Sequence, residues 1–195
     1  MRAALLLLLP VLALPLPPSG AAAQPDARSA TPEKARRAQL DRLLDALPNA
    51  PDDTIAAAMA AQIRGLWAQS ASPAVMLLLD RGQRNLRSEA AADAVEDFDA
   101  ALVLQPDCSE AWLLRAQALA ETGDFAAALR DLRQVLTLEP RHFGALTVLS
   151  SLQEQMGDAE DALRSMQEAV AIYPRMPGAE ERLRKLYRAV HGEGI

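Results

Sequence analysis

Apolar residues recur every three or four positions along most of the chain, and proline, glycine and aspartate interrupt that spacing at regular places. Lys34 to Leu47 carries Leu40, Leu43, Leu44 and Leu47, and Thr54 to Gln69 carries Ile55, Met59, Ile63, Leu66 and Trp67. Both stretches predict amphipathic helices. Pro48-Asn49-Ala50-Pro51-Asp52-Asp53 breaks them, with Asp52 or Asp53 available to start the second. Further on, three apolar helix ends close on Pro106, Pro140 and Pro174. The last amphipathic stretch, Pro177 to His191, puts Leu183, Leu186, Tyr187 and Val190 on one stripe, with Glu180 and Glu181 early and Lys185 and Arg188 late. That charge order suits a helix dipole.

The three prolines are 34 residues apart, and the same period aligns other columns. Gly82, Ala116 and Ser150 form one, Ala94, Ala128 and Ala162 a second, Phe98, Leu132 and Met166 a third, and Leu78, Trp112 and Leu146 a fourth. A fixed period of this length denotes stacked supersecondary units. The small columns lie where two helix axes must approach closely, and larger side chains there would wedge the hairpins open. The large columns fill the wider space between units. Gly123-Asp124 and Gly157-Asp158 supply the turns, glycine ending one helix and aspartate capping the next. Each proline ends a second helix by withholding a backbone donor.

These columns resemble tetratricopeptide repeats, over about residues 75 to 176. Trp112 stands where that family opens its first helix with a large apolar residue, and Gly123-Asp124-Phe125 matches its turn. The first copy departs, with Glu89-Ala90-Ala91 in place of the turn motif. The resemblance implies an all-α, right-handed solenoid of helical hairpins. The expected division of the chain is a signal peptide (1–23), a disordered lead (24–33), a degenerate helical pair packed under the first repeat (34–72), three repeats within 73–176 (75–108, 109–142 and 143–176), a closing helix (177–191) and a tail (192–195).

The start changes the compartment. Met1-Arg2, an apolar run from Ala3 to Leu16 and an exit through Ala21-Ala22-Ala23 read as a secretory signal peptide. The apolar run is shorter than the roughly 20 residues of a spanning helix, and Pro10 and Pro15 interrupt it. No integral membrane segment is expected after cleavage, and the expected location is periplasmic or secreted. Loss of residues 1–23 removes one base, Arg2, and no acid, taking the net charge from −6 to −7. No nucleic-acid partner is therefore expected. Aromatics are only 4%, which leaves the core to alanine and leucine and favours helices over sheet. Cys108 is the single cysteine, so packing without an internal disulfide must stabilise the fold.

Candidate chemistry is sparse. Two histidines, His142 and His191, one cysteine and no glycine-rich phosphate loop give no catalytic constellation, and no enzyme activity or cofactor is expected. The acids, as in Glu96-Asp97 and Glu180-Glu181, read as helix starts and solvated faces. Cys108, His142 and Met176 share one column and could each bind a soft metal, but equivalent points of stacked helices lie on the order of 10 Å apart. No metal site is expected from them.

The resemblance implies a concave face lined by the first helices. It would present Met76, Leu79, Gln83 and Leu86 from the first unit, Leu113, Gln117 and Ala120 from the second, and Thr147, Ser151 and Glu154 from the third, rimmed by Arg141 and Arg175. For Leu79 and Leu113 the pattern fits both a groove position and burial against the next unit. Some family members hold an acidic peptide terminus with lysines and asparagines at this face; here Leu79, Gln83, Leu113 and Gln117 take those places. The expected function is that of an exported, periplasmic adaptor binding an extended or helical segment of an envelope protein, identity unknown. The alternative is an assembly factor that handles a metal or an unfolded client.

Overall fold

The computed structural model describes residues 30–192. Among them are nine α-helices, one short 3₁₀ turn and no strand. The expected signal peptide lies outside the described residues. Helix α1 (Ala30–Ala46) runs through a 3₁₀ turn (Leu47–Asn49) to α2 (Asp53–Ala68), started by Asp52, whose carboxylate accepts from the Ile55 N–H at 2.8 Å. Three hairpins follow: α3 (Pro73–Arg87) with α4 (Ala91–Leu104), α5 (Ser109–Glu121) with α6 (Phe125–Leu138), and α7 (Phe143–Gln155) with α8 (Ala159–Ile172). Helix α9 (Ala179–His191) closes the array. The fold is the all-helical solenoid that the 34-residue period predicts.

The columns explain the hairpins. Ala94, Ala128 and Ala162 are fully buried, as are Ala116 and Ser150 opposite them. Gly82 is tightly constrained: a Cβ built there would lie 2.4 Å from Cε1 of Phe98. The bulkiest side chain of its column therefore faces the one unit with no Cβ. Ala116 pairs with the smaller Leu132, and Ser150, facing Met166, donates its hydroxyl to the Ala162 carbonyl at 2.7 Å. Phe98 does more than fill space between units, because it also sits against Gly82 of its own hairpin.

The three hairpin turns share one geometry. In each, a residue in the left-handed region follows the first helix: Glu89 at φ 60°, Gly123 at 85° and Gly157 at 88°. The next N–H returns to a carbonyl five residues back, Ala90 to Asn85, Asp124 to Leu119 and Asp158 to Gln153, at 2.9 Å in every case. The first copy thus bends like the others despite lacking glycine, at the steric expense of a Cβ at positive φ.

Two observations depart from the sequence expectations. Asp97 is buried, accepting from Arg81 Nε at 2.6 Å and Asn85 Nδ2 at 2.8 Å, and is no solvated acid. One unit on, Arg115 makes the same bond to buried Asp131 and also reaches Asp99 of the preceding unit at 2.6 Å. Secondly, α1 begins inside the segment expected to be a disordered lead, and the α1–α2 pair does not lie under the first repeat. It crosses the loops that join successive units. Gln105 holds the Ser70 carbonyl and the Ser72 N–H, Arg37 meets Glu139, Arg141 meets Asp41 and Asp45, and Arg175 meets Asp53 and the Ala50 and Pro51 carbonyls. A shared core of Leu40, Leu44, Ile63 and Trp67 with Phe143 and Tyr173 fixes it there. The apolar stripes announce burial but not against what.

At the other end α9 buries Leu186 and Ala179 against Ala162, Leu163 and Met166, while Arg182 and Lys185 hold Glu154 at 2.5 and 3.0 Å. Tyr187, expected on the buried stripe, stays exposed and stacks on His191. Arg184 occupies the column of Gly82, Ala116 and Ser150 and is exposed, so the small residue of the repeat is not kept at α9.

Candidate functional site

Placing α2 across the array turns its inner face into a bounded cleft of ≈ 590 Å³. One wall is α2, contributing Ala57 and Arg64. The facing wall is the inner side of α5 and α7, with Glu110, Leu113, Leu114, Gln117, Gly144, Thr147 and Val148, and the end is closed by Phe143, Tyr173, Met176 and Pro177. The lining is mostly apolar with few polar groups, the composition of a ligand-holding concavity of ordinary size.

Aromatic stacking positions the walls. Trp67 of α2 lies on the His142 ring with centroids 3.8 Å apart and planes 14° from parallel, and Phe143 packs at 5.2 Å from Trp67 and 5.4 Å from Tyr173. His142 also caps α7, its Nδ1 accepting from the Ala145 N–H at 3.1 Å. That contact assigns the ring proton to Nε2, which has no partner among the described residues; the buried Trp67 Nε1 has none either. Burial lowers the His142 pKa from 6.5 to about 4, so the ring is neutral at pH 7. Burial also raises the carboxyl of Glu110 above the usual range.

Of the residues expected on the concave face, Leu113, Gln117 and Thr147 line this cleft. Leu79 is buried in the core of the first hairpin, with Leu86 packed on it, and Ala120 packs on the core of the second. Met76 is exposed and Gln83 half-buried, and neither reaches the cleft. Ser151 and Glu154 are covered by α9, Ser151 accepting from Arg182 at 3.4 Å. Arg141 and Arg175 do not form a free rim; both clamp the α1–α2 pair. Glu110, Gly144, Phe143, Tyr173 and the α2 residues were missed. Glu110 and Gly144 share a column with Met76, which the sequence did place on this face. The α2 wall has no such signal in the period.

The Cys108, His142 and Met176 column is used separately at each position. Cys108 is buried in the core between the first and second hairpins, where burial raises its thiol pKa and leaves it unreactive. Met176 Sδ lies 3.8 Å from the Thr147 hydroxyl, whose proton goes to the Phe143 carbonyl at 2.8 Å. No group of three or more histidine, cysteine, aspartate or glutamate side chains able to hold a metal occurs among the described residues. None of their helices is long and apolar enough to cross a membrane.

The sequence model of the tetratricopeptide repeat matches residues 79–129 and 118–177. No curated protein matches the chain. Among solved structures, the first such domain of Spaghetti (RPAP3), bound to the HSP90 peptide SRMEEVD, is 18% identical over 62% of this chain and 98% of that one, with a TM-score of 0.59. MamA is 21% identical over 60% of this chain and 69% of its own, at 0.57. The Sgt2 domain from Aspergillus fumigatus is 17% identical over 62% and 81%, at 0.58. At these identities the likeness is one of fold.

Proposed function

Because the chain belongs to the tetratricopeptide-repeat family, we propose that it is an exported adaptor that holds a short extended segment of another protein in the cleft between α2 and the inner helices α5 and α7. The observation that carries this reading is the cleft itself: a mostly apolar concavity of ≈ 590 Å³ on the inner face of the array, walled by rigid helices. A bound HSP90 peptide in one structural neighbour supports it by analogy. With α2 already lying across the inner face, the remaining space suits a few extended residues better than a guest helix, whose diameter with side chains is about 10–12 Å. Export rests on the Met1–Ala23 pattern and makes the partner an envelope or secreted protein.

Photo-crosslinking from Gln117 and Thr147 in the producing cell tests the adaptor reading. It expects one or a few protein partners, lost in a Leu113→Glu variant that remains helical. Crosslinks no different from those of an outer-face position such as Arg133 would count decisively against it. Fractionation with N-terminal sequencing tests the export: Gln24 should be the first residue of the mature chain, and an intact Met1 on a cytoplasmic product would refute that part.

A further inference from the structure

We infer that the cleft selects a segment in which a lysine or arginine stands beside a large apolar side chain, the cation meeting Glu110 and the apolar group resting among Leu113, Phe143 and Val148. This rests on the adaptor reading of the cleft and adds to it the charge of the partner. Glu110 is the acid among the lining residues, in the first turn of α5. It is half-buried, and among the described residues it has no side-chain hydrogen bond and no cation within 4.0 Å. The neighbouring acids are served differently: Asp97 has Arg81, Asp131 has Arg115, Glu139 has Arg37, and Glu154 has Arg182 and Lys185. Arg64, the cation on the facing wall, is exposed and forms no such pair with Glu110.

The repeat gives no packing reason for an acid at this position. Its column reads Met76, Glu110, Gly144 and Gly178, so the other units stack without one. An acid in a first helical turn favours the helix dipole, but a solvated side chain would do that without desolvation. A half-buried carboxylate in an apolar cleft is instead the unfinished half of an ion pair, completed when a partner brings the cation. The apolar surface next to it, Leu113 and Leu114 on α5 and Phe143 and Val148 on α7, gives the stem and the adjoining side chain a place to rest.

The test is selection of random displayed heptapeptides on the immobilised full-length protein, followed by titration of the strongest peptide in synthetic form. Enriched sequences should carry lysine or arginine next to leucine, isoleucine, phenylalanine or methionine. Glu110→Gln should weaken the synthetic peptide at least about tenfold, the size of a lost charge-assisted bond. Glu110→Lys should move the preference to peptides with glutamate at the same place. Circular dichroism establishes that both variants fold. Acid-rich winners, winners without charge preference, or equal affinity for Glu110→Gln would overturn the inference. A fall in stability of Glu110→Gln with unchanged peptide preference would reduce Glu110 to a dipole role and overturn it equally. Gln117→Arg, which fills the cleft, separates the two readings. Peptides without charge preference that it blocks leave the adaptor site standing and sink only the basic partner. Peptides it does not block, or no enrichment at all, sink both.

Discussion

Acidification should detach stability from this protein through one side chain, His142. The folded site lowers its pKa from 6.5 to about 4, because the ring is buried between Trp67 and the start of α7. The unfolded chain binds a proton below about pH 6.5, and the folded chain refuses it until about pH 4. Stability present above pH 6.5 is therefore lost as the pH falls through that window and levels off below it. Each pKa unit corresponds to about 1.4 kcal/mol, so the full loss is about 3 kcal/mol, a large part of a typical domain's stability. Urea unfolding of the wild type and of His142→Asn, at about pH 7.5 and about pH 4, measures it. Asparagine keeps an acceptor for the Ala145 N–H, so the capping bond survives, while the titrating group does not. His142→Asn will be less stable at neutral pH through loss of the Trp67 stack, but the gap should narrow by about 3 kcal/mol on acidification, the carboxylates being common to both proteins. Parallel losses of stability in the two proteins would refute the argument.

Three further outcomes follow from the repeat geometry. Gly82→Ala forces Phe98 to move, so it should destabilise by about 1–3 kcal/mol despite alanine's better helix propensity; the double change Gly82→Ala, Phe98→Leu, which copies the Ala116–Leu132 pairing, should recover much of the loss in thermal melts. Glu89→Gly relieves the one non-glycine residue at positive φ among the described residues and should raise stability by about 0.5–1 kcal/mol, which chemical denaturation can resolve. Asp131→Ala strands Arg115 against the hairpin and should cost about 3 kcal/mol, more than Asp99→Ala at the exposed end of the same network; equal effects in denaturant melts would show that burial is not what matters.

How much of this was legible in the sequence depends on whether a feature repeats. Pro106, Pro140 and Pro174, the alanine column and the Gly-Asp turns each appear three times or nearly so, and every hairpin follows from them. The bend at Glu89 belongs to that register even though its residue is wrong for the conformation, because the surrounding helices over-determine it. The Arg81–Asp97 and Arg115–Asp131 pairs were present as two further columns, but acids on an amphipathic helix read as solvated unless their opposite cations are aligned with them. The candidate site was legible only by half. Leu113, Gln117 and Thr147 come from the period; Ala57, Arg64 and Trp67 come from a segment with no counterpart in it, and amphipathicity alone does not say which surface an apolar stripe covers.

The placement of that segment has a physical consequence for what the array can hold. A bare tetratricopeptide groove offers a long concave face, and the loops between units are its edge. Here arginines in two of those loops, Arg141 and Arg175, and the aromatic cluster of Trp67, His142, Phe143 and Tyr173 bind α1 and α2 across the edge. The fully buried Ile63, Leu40 and Trp67 make this a core and not a loosely held lid. The inner face is thereby shortened to the stretch beside α5 and α7, and Ser151 and Glu154 are withdrawn from it by α9. Fewer side chains of a partner can be engaged, so discrimination must come from the few groups that remain. Among those, the half-buried carboxylate of Glu110 has no cation within 4.0 Å among the described residues, while Arg64 across the cleft is exposed to water, so charge selection in this protein should concentrate at Glu110.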